Sequence, residues 1–282
     1  MMKLIYKILL STLILSVVSC TDVIEVDVPE GPIRLTIEAS LDWEKGTSGN
    51  QQTILLSTST PYFQSQRNSA VTGATVQVRN NDSGAVFVFQ DQNDGRYTTS
   101  TFVPVMGNSY TLEVAYEGER YTATETMFPV SDFSAITQSK EDGEDDEALE
   151  VNVSFQDPVD IENYYFLRFQ SRNDRLPELF YIKDEFVDGN EVTFYYEKIE
   201  DEEDNIKEFE PGDTVDIVLL GISEDYHNYL RLLVEQFESA GNPFSATPVA
   251  LVGNCINTDN PDNTPYGYFR VSEKVESSFT FE

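Results

Sequence analysis

The sequence is poor in the side chains on which many enzyme and metal sites depend. Its 282 residues include one histidine, two cysteines and one tryptophan. Zinc sites need clusters of Cys and His, and nucleophilic catalysis usually needs a histidine base. No glycine-rich phosphate loop and no G-x-S-x-G segment occurs. We therefore expect no catalytic residue, no metal site and no cofactor, with Cys255 a small buried residue and His227 on a helix surface.

Positive charge is also scarce. The chain has 18 Lys and Arg residues against 50 Asp and Glu residues, a formal net charge of −32. Such a field repels phosphate backbones and anionic membrane surfaces, so we expect no nucleic-acid partner and no membrane contact by the folded part. Carboxylates are so abundant that counting cannot exclude a carboxylate-dependent hydrolase, and this alternative stays open.

The longest apolar run lies near the start of the chain and has the features of an export signal. Two lysines precede the mostly apolar residues 8–18, a run too short to span a bilayer. The following Val17-Val18-Ser19-Cys20 resembles a lipobox, the processing motif whose cysteine carries lipid. We therefore predict a lipoprotein signal peptide at 1–19 and lipidation of Cys20. An ordinary secretory signal with an incidental cysteine is the alternative.

Residues 20–32 are predicted to form a lipidated tether. Acidic residues keep this segment hydrated, and its two prolines prevent it from joining the interior of a sheet. Several acyl chains on Cys20 would give a stable anchor where one chain is marginal. Acid close behind such a cysteine resembles the signals that send lipoproteins to the outer membrane and, in some lineages, to the cell surface. We therefore expect a protein anchored to the outer membrane by lipid alone, facing the cell surface.

Residues 33–130 alternate short β-type segments with turn signals. Seven strands are predicted there, separated by turns rich in Gly, Asn and Asp. One of these turns, Tyr116-Glu-Gly-Glu119, is typical of a tight hairpin. In Tyr110–Tyr116 the apolar side chains recur at every second residue, which buries one face of the strand. Seven short strands at this spacing predict an N-terminal β-sandwich of immunoglobulin or transthyretin type.

Residues 131–150 are predicted to form an acidic linker or hinge. Six of the seven residues 141–147 are acidic, and such blocks are usually solvated. A calcium site is the alternative, although the run lacks the ligand spacing of an EF-hand loop. A second acidic block occupies residues 200–204.

Residues 151–282 are predicted to form a second β-rich domain with one amphipathic helix at about 223–239. Ser223 can cap this helix, and Gly241 begins the sequence that ends it. The apolar residues between them form one predicted stripe, namely Tyr226, Tyr229, Leu230, Leu233 and Phe237. The domain closes with two predicted strands, near 267–271 and 277–281. The predicted fold class is therefore mainly β, with two domains and one helix.

Many short motifs occur in an order that resembles a known family. They are Cys20-Thr-Asp22, Leu41-Asp-Trp43, Thr53-Ile-Leu-Leu-Ser57, Tyr62-Phe63, Val71-Thr-Gly-Ala-Thr-Val76, Asp94-Gly-Arg-Tyr97, Gly107-Asn-Ser-Tyr-Thr-Leu112, Pro211-Gly-Asp-Thr-Val215, Ile222-Ser223, Tyr229-Leu230, Gly253-Asn254 and Gly267-Tyr-Phe269. The chain is similar to the Bacteroidetes outer-membrane lipoproteins grouped as domain of unknown function 4249. This resemblance implies association with TonB-dependent outer-membrane transporters, near which such lipoproteins are typically encoded. It carries over no catalytic residue.

The leading functional hypothesis is a non-enzymatic, lipid-anchored accessory protein that binds a ligand or caps a TonB-dependent transporter in nutrient uptake. A structural or adhesive cell-surface lipoprotein without a transport role is the alternative, and a hydrolase is less favoured. Long ordered loops on a β scaffold concentrate binding groups. We therefore predict the ligand or partner contacts on 241–269, at Asn254, Asn257, Asp259 and Asp262.

Overall fold

The structure is a computed structural model that describes residues 31–61, 69–185, 189–200, 206–239 and 251–282. The predicted signal peptide, Cys20 and the tether up to residue 30 lie outside these residues, as do residues 201–204 of the second acidic block. The described part contains fifteen strands and one helix, so the protein is mainly β, as predicted.

The seven strands predicted in the first half are confirmed. They are β1 (Leu35–Glu44), β2 (Gln52–Thr58), β3 (Thr75–Asn80), β4 (Val86–Asp91), β5 (Arg96–Thr99), β6 (Ser109–Tyr116) and β7 (Glu119–Thr126). In β6 the apolar side chains of Tyr110, Leu112 and Val114 are buried, and the residues between them are half-buried. This alternation arises because successive side chains of a strand point to opposite faces of the sheet.

The second half contributes eight strands and the helix. They are β8 (Phe133–Ser139), β9 (Glu150–Gln156), β10 (Tyr164–Ser171), β11 (Glu178–Lys183), β12 (Glu191–Glu197), β13 (Thr214–Ile222), α1 (Glu224–Glu238), β14 (Ile256–Asn257) and β15 (Tyr266–Thr280). The side chain of Ser223 accepts a hydrogen bond from the backbone N–H of Tyr226 at 3.1 Å, so it caps α1 as predicted. No helix within the described residues is both long enough and apolar enough to span a bilayer.

The strands form one long curled sheet and one short sheet. The long sheet has the order β11-β10-β13-β15-β1-β2-β5-β4-β3-β6-β7-β14, and the short sheet has the order β12-β9-β8. Just after β7, Phe128 forms a parallel bridge with Ser272 of β15. The long sheet therefore curls back on itself and encloses a first hydrophobic core.

Strand β15 belongs to both halves of the fold. Its residues 266–274 pair in parallel with β1, and its residues 274–280 pair in antiparallel fashion with β13. The sequence predicted two separate strands, near 267–271 and 277–281. In the structure they are one continuous strand, so this prediction is wrong. We call β1–β7, β14 and residues 266–274 the first unit, and β8–β13 with residues 275–280 the second unit. The predicted domain 151–282 is thus divided between the two.

The predicted linker 131–150 is largely built into the second unit. Strand β8 pairs with β9 from Phe133↔Phe155 to Ser139↔Glu150, with a β-bulge near Ala135. The acidic block 141–147 is therefore the connection of a hairpin. Sequence pattern alone did not reveal β8 because the bulge breaks the two-residue alternation of its apolar side chains.

Among the described residues, three groups of buried side chains hold the fold together. The first unit has its own core, the second unit has a core between its two sheets, and a smaller cluster lies beneath α1. The last cluster contains Tyr164, Phe166, Val218, Leu220, Ile222 and Leu230. Helix α1 thus covers the outer face of β10 and β13 beside β15.

Candidate functional site

Asn254, the first of the predicted site residues, fixes the segment 251–265 to β15. Its side-chain amide donates to the carbonyl of Phe269 at 2.8 Å, and its side-chain oxygen accepts from the N–H of Phe269 at 2.9 Å. The adjacent Gly253 lies so close to the carbonyl of Gly267 that a Cβ atom would overlap with it. Asn254 therefore takes the place of a paired strand residue, and glycine is required beside it.

Asn257, the second predicted residue, is buried and shapes the loop from within. Its side-chain oxygen accepts hydrogen bonds from the N–H groups of Asp259 at 3.1 Å and Asn260 at 2.9 Å. Its amide donates to Glu119 of β7 at 2.8 Å. The first pair of bonds is an Asx-type turn, and the third joins the turn to the first unit.

Glu119 collects hydrogen bonds from one tyrosine and three asparagines, and we call these residues the Glu119 cluster. The donors are Tyr121 at 2.8 Å, Asn257 at 2.8 Å, Asn260 at 3.0 Å and Asn263 at 2.7 Å. The hydrogen bond from Tyr121, with those from the asparagines, lowers the pKa of Glu119 to about 2. This carboxylate stays ionised at neutral pH, so it acts as a fixed acceptor and does not supply protons.

Asp259 and Asp262, the remaining predicted residues, lie on the outer side of the same loop. Asp259 accepts from the backbone N–H of Arg120 at 2.8 Å and from its guanidinium at 3.1 and 3.0 Å. The hydrogen bond with Arg120 lowers the pKa of Asp259. Asp262 is exposed. The structure therefore brings Asn257 and Asp259 together on the β6–β7 hairpin, places Asn254 at β15 and leaves Asp262 at the surface.

The polar groups of the segment 251–265 form hydrogen bonds within the protein. In contrast, apolar side chains of this segment and the side chain of the adjacent Tyr266 are exposed. Val252, Ile256 and Tyr266 are 65%, 57% and 45% exposed. The guanidinium of Arg34 lies 5.9 Å from the ring centre of Tyr266 and donates to the carbonyl of Thr264 at 2.7 Å. The segment 251–265 is therefore held in place by its polar groups and exposes apolar side chains, and we call it the pinned segment.

Glu119 and Arg120 were not among the predicted site residues. The sequence indicated a tight hairpin at 116–119, and nothing in it linked that hairpin to a loop 138 residues away. Only the folded chain brings the two segments together.

A second polar group lies where the two units meet beneath α1. The guanidinium of Arg270 donates to both carboxylate oxygens of Asp42 at 2.8 Å. It also lies 4.6 Å from the ring centre of Tyr226 and 5.6 Å from that of Phe166. Burial opposes the charge, but Asp42 holds the pKa of Arg270 above its ordinary value. This buried pair joins β1 and β15 of the first unit to the helix above them.

Glu125 of β7 ties the start of α1 to the first unit. It is buried and accepts hydrogen bonds from the hydroxyls of Ser223 at 2.8 Å and Tyr268 at 3.2 Å, and from the N–H of Thr126 at 3.0 Å. Burial raises the pKa of Glu125. Because Ser223 also caps α1, the helix position is coupled to β7.

The prediction that His227 lies on the helix surface is wrong. Its ring is buried between Tyr164 and Tyr181, with ring centres 5.2 and 5.4 Å away, and burial lowers its pKa. The predicted apolar stripe included Phe237, which is exposed, because the helix turns a neighbouring face toward β10 and β11.

The prediction that Cys255 is buried is confirmed, and burial raises its pKa to about 12. A thiol with this pKa is not a nucleophile at neutral pH, because the reactive form is the thiolate. Within the described ranges, no three His, Cys, Asp or Glu side chains are grouped so that they could hold a metal ion.

Comparison with known families places the whole fold in one group. Residues 21–278 match the family described as "Domain of unknown function (DUF4249)". The chain belongs to this family. The DUF4249 match includes both units, the Glu119 cluster and nearly all of β15. No curated protein is significantly similar to the chain.

Three solved structures have partial similarity to this DUF4249 protein. A two-domain fibronectin type III segment of chicken tenascin is 12% identical, covering 60% of this chain and 83% of that one, with a TM-score of 0.21. Fibronectin domains 1–3 of chicken CNTN1 are 11% identical over 66% of this chain and 57% of that one, with a TM-score of 0.25. A cytokine receptor complex chain is 11% identical over 68% and 86%, with a TM-score of 0.26. Scores this low carry no conclusion about function.

Proposed function

We propose that this DUF4249 protein is a lipid-anchored outer-membrane accessory protein of Bacteroidetes. It binds a ligand, or caps a TonB-dependent transporter, in nutrient uptake at the cell surface, and it is not an enzyme. The proposal treats β1–β7 as an immunoglobulin- or transthyretin-like sandwich that follows the tether. Support comes from the signal and lipobox pattern up to Cys20, from the family resemblance, and from the geometry of the segment 251–265.

The pinned segment is the observation that carries the proposal. Hydrogen bonds made by four of its side chains, Asn257, Asp259, Asn260 and Asn263, hold it against β7, so its conformation is fixed before any partner arrives. A loop that is already ordered pays little conformational entropy on binding. Its exposed Val252 and Ile256 then offer apolar contact area that a partner can cover.

The chemistry of the titratable groups supports binding over catalysis. Glu119 and Asp259 are held as anions by their donors, and the thiol of Cys255 is held neutral by burial. A general acid or base works best with a pKa near the working pH. The pKa values of Glu119 and Asp259 lie below the working pH and that of Cys255 lies above it. We therefore assign these three residues to the structure of the loop.

The tether limits where a partner can sit. Fully extended, residues 20–32 reach at most about 40 Å, at roughly 3.3–3.6 Å per residue. Because the continuous strand β15 is part of both units, the two units are held on the tether as one body. A transporter in the same membrane can therefore meet the pinned segment directly.

Introducing a negative charge at the exposed apolar residues tests this assignment. We expect Val252→Asp and Ile256→Asp to lower transporter-dependent uptake by about tenfold, since each places an unpaired charge in the contact. Leu176→Asp is the matched control, because Leu176 is 63% exposed and lies in the second unit. Unfolding in urea should be unchanged in all three variants.

Asp262→Ala should lower uptake as a direct contact, whereas Asn254→Ala, Asn257→Ala and Asp259→Ala should act by loosening the loop. The loop variants should therefore show faster amide exchange in 251–265, and Asp262→Ala should not. Wild-type uptake in Val252→Asp and Ile256→Asp would refute the assignment, as would an equal loss in Leu176→Asp.

A further inference from the structure

Strand β8 is an edge strand of the short sheet in the part of the chain that the structure describes. It pairs with β9 on one side, and in the described part of the chain no strand or backbone hydrogen bond joins its other side. Ser134, Ala135 and Thr137 are exposed along it. An edge of this kind presents unpaired N–H and C=O groups to which another chain can add.

The sequence of β8 lacks the usual protection of an edge. Its seven residues, FSAITQS, contain no charged residue and no proline. The other described edge strands of the second unit differ, since β11 begins with Glu178 and ends with Lys183, and β12 begins and ends with glutamate. Charged residues and prolines are the common means of blocking edge pairing. In a chain with 24% charged residues, a neutral edge therefore stands out as a site for pairing.

Glu282, which follows β15, lies beside β8. Gln138 of β8 donates to the carbonyl of Glu282 at 3.1 Å, and its side-chain oxygen accepts from the N–H of Glu282 at 2.8 Å. These bonds hold the chain end next to β8. The position of Glu282 beside β8 is thus fixed by two hydrogen bonds.

A fixed block of negative charge lies at the end of β8. All six acidic side chains of 141–147 are exposed. The backbone of this block is held by Glu150, which accepts from the N–H groups of Glu141 at 3.1 Å and Asp142 at 2.9 Å. Glu197 accepts from the N–H of Glu144 at 2.6 Å, and its carboxylate lies so close to Gly143 that a Cβ atom there would displace it. The acidic side chains therefore project from a defined turn.

We propose that β8 is a docking edge for an extended, basic segment of a partner protein. The segment adds as a strand beside β8, and its Lys or Arg side chains lie against the acidic block 141–147. Strand addition supplies backbone hydrogen bonds, and the charge sets the position and the partner. A second copy of this chain fits less well, because both copies would carry a formal charge of −32. The inference stands without the proposed transport role, since it depends only on β8 and its surroundings.

The test uses a synthetic peptide of alternating Val and Thr followed by a run of lysines. A second version carries the lysines at the other end, to cover both strand directions. Control peptides replace the lysines by glutamates, or interrupt the Val and Thr stretch with prolines. Fluorescence anisotropy measures binding to the purified protein, and hydrogen exchange locates it. We expect one lysine peptide to bind about tenfold or more tightly than its proline control and to slow amide exchange in β8.

Protein variants separate the edge from general attraction of cations. Ala135→Lys and Thr137→Lys add charge to the β8 edge and should weaken peptide binding about tenfold. Thr193→Lys adds the same charge to β12 at the opposite edge of the sheet and should leave binding unchanged.

Equal binding of the proline peptide, equal weakening by Thr193→Lys, or protection away from β8 would overturn the proposal. So would a wild-type dimer in sedimentation that Ala135→Lys dissociates, because the occupant would then be a second copy.

Discussion

The buried pair between Arg270 and Asp42 gives the sharpest stability prediction. The Asp42 side chain is 26% exposed, whereas the Arg270 side chain is 6% exposed. Asp42→Ala leaves a buried guanidinium without its counterion, which should cost about 3–5 kcal/mol. Arg270→Met leaves a carboxylate that water can reach in part, which should cost about 1–3 kcal/mol. The two single substitutions should therefore differ, with Asp42→Ala the more damaging.

The double variant removes both charges and so leaves neither one unpaired. Its cost should fall below the sum of the single costs by about 0.5–3 kcal/mol, the range found for residues in direct contact. Urea unfolding followed by fluorescence measures each free energy by linear extrapolation. Because β15 passes through both cores, we expect one transition for the whole chain.

An exposed pair of the same residue types provides the control. Arg172 and Asp216 form an ion pair at 3.1 Å with side chains 61% and 45% exposed. Asp216→Ala should cost about 0–1 kcal/mol, as surface pairs usually do. Equal costs for Asp42→Ala and Asp216→Ala would refute this reasoning about the ion pair between Asp42 and Arg270. Additive costs of the substitutions at Asp42 and Arg270 would refute it as well.

Three further outcomes follow from the tether, the Glu119 cluster and the acidic hairpin. Cys20→Ala should give a folded protein that leaves the membrane fraction and takes up no labelled fatty acid; a wild type that takes up no label would contradict the anchor. By NMR titration Glu119 should show its pKa of about 2, and Asn263→Ala should raise it. Because this pKa is lowered on folding, the stability it supplies is present above the ordinary value and is lost as pH falls toward 2; an ordinary pKa in the wild type would contradict the cluster. Glu150→Ala should cost about 1–3 kcal/mol by leaving N–H groups without their acceptor, measured by urea unfolding, and an unchanged midpoint would contradict the account.

The parts of the fold set by local pattern could be predicted from the sequence. The strands of the first unit alternate apolar and polar residues between glycine-rich turns, and Ser223 precedes residues of helical spacing. Both signals depend only on near neighbours in the chain. These signals can therefore be recognised in the sequence without knowledge of the long-range packing.

The parts that failed depend on contacts between distant segments. Nothing near Tyr266 indicates that the strand it begins pairs first with β1 and then with β13. His227 was misplaced because the buried face of α1 is set by the rings of Tyr164 and Tyr181 on other strands. Asn257 could be picked out by its turn-rich surroundings, but its partner Glu119 could not. Side-chain identity shows what a residue can bond, and the fold decides with which group it does so.

Purification from native membranes tests the central claim most directly. The tagged wild-type protein is extracted in mild detergent, and the amounts of co-purifying outer-membrane proteins are determined by quantitative mass spectrometry. Cys20→Ala serves as the unanchored control. The proposed function predicts a TonB-dependent transporter in stoichiometric amount with the wild type and a strong reduction with the control. Recovery of the anchored wild-type protein without any transporter would contradict it and favour a structural or adhesive surface lipoprotein.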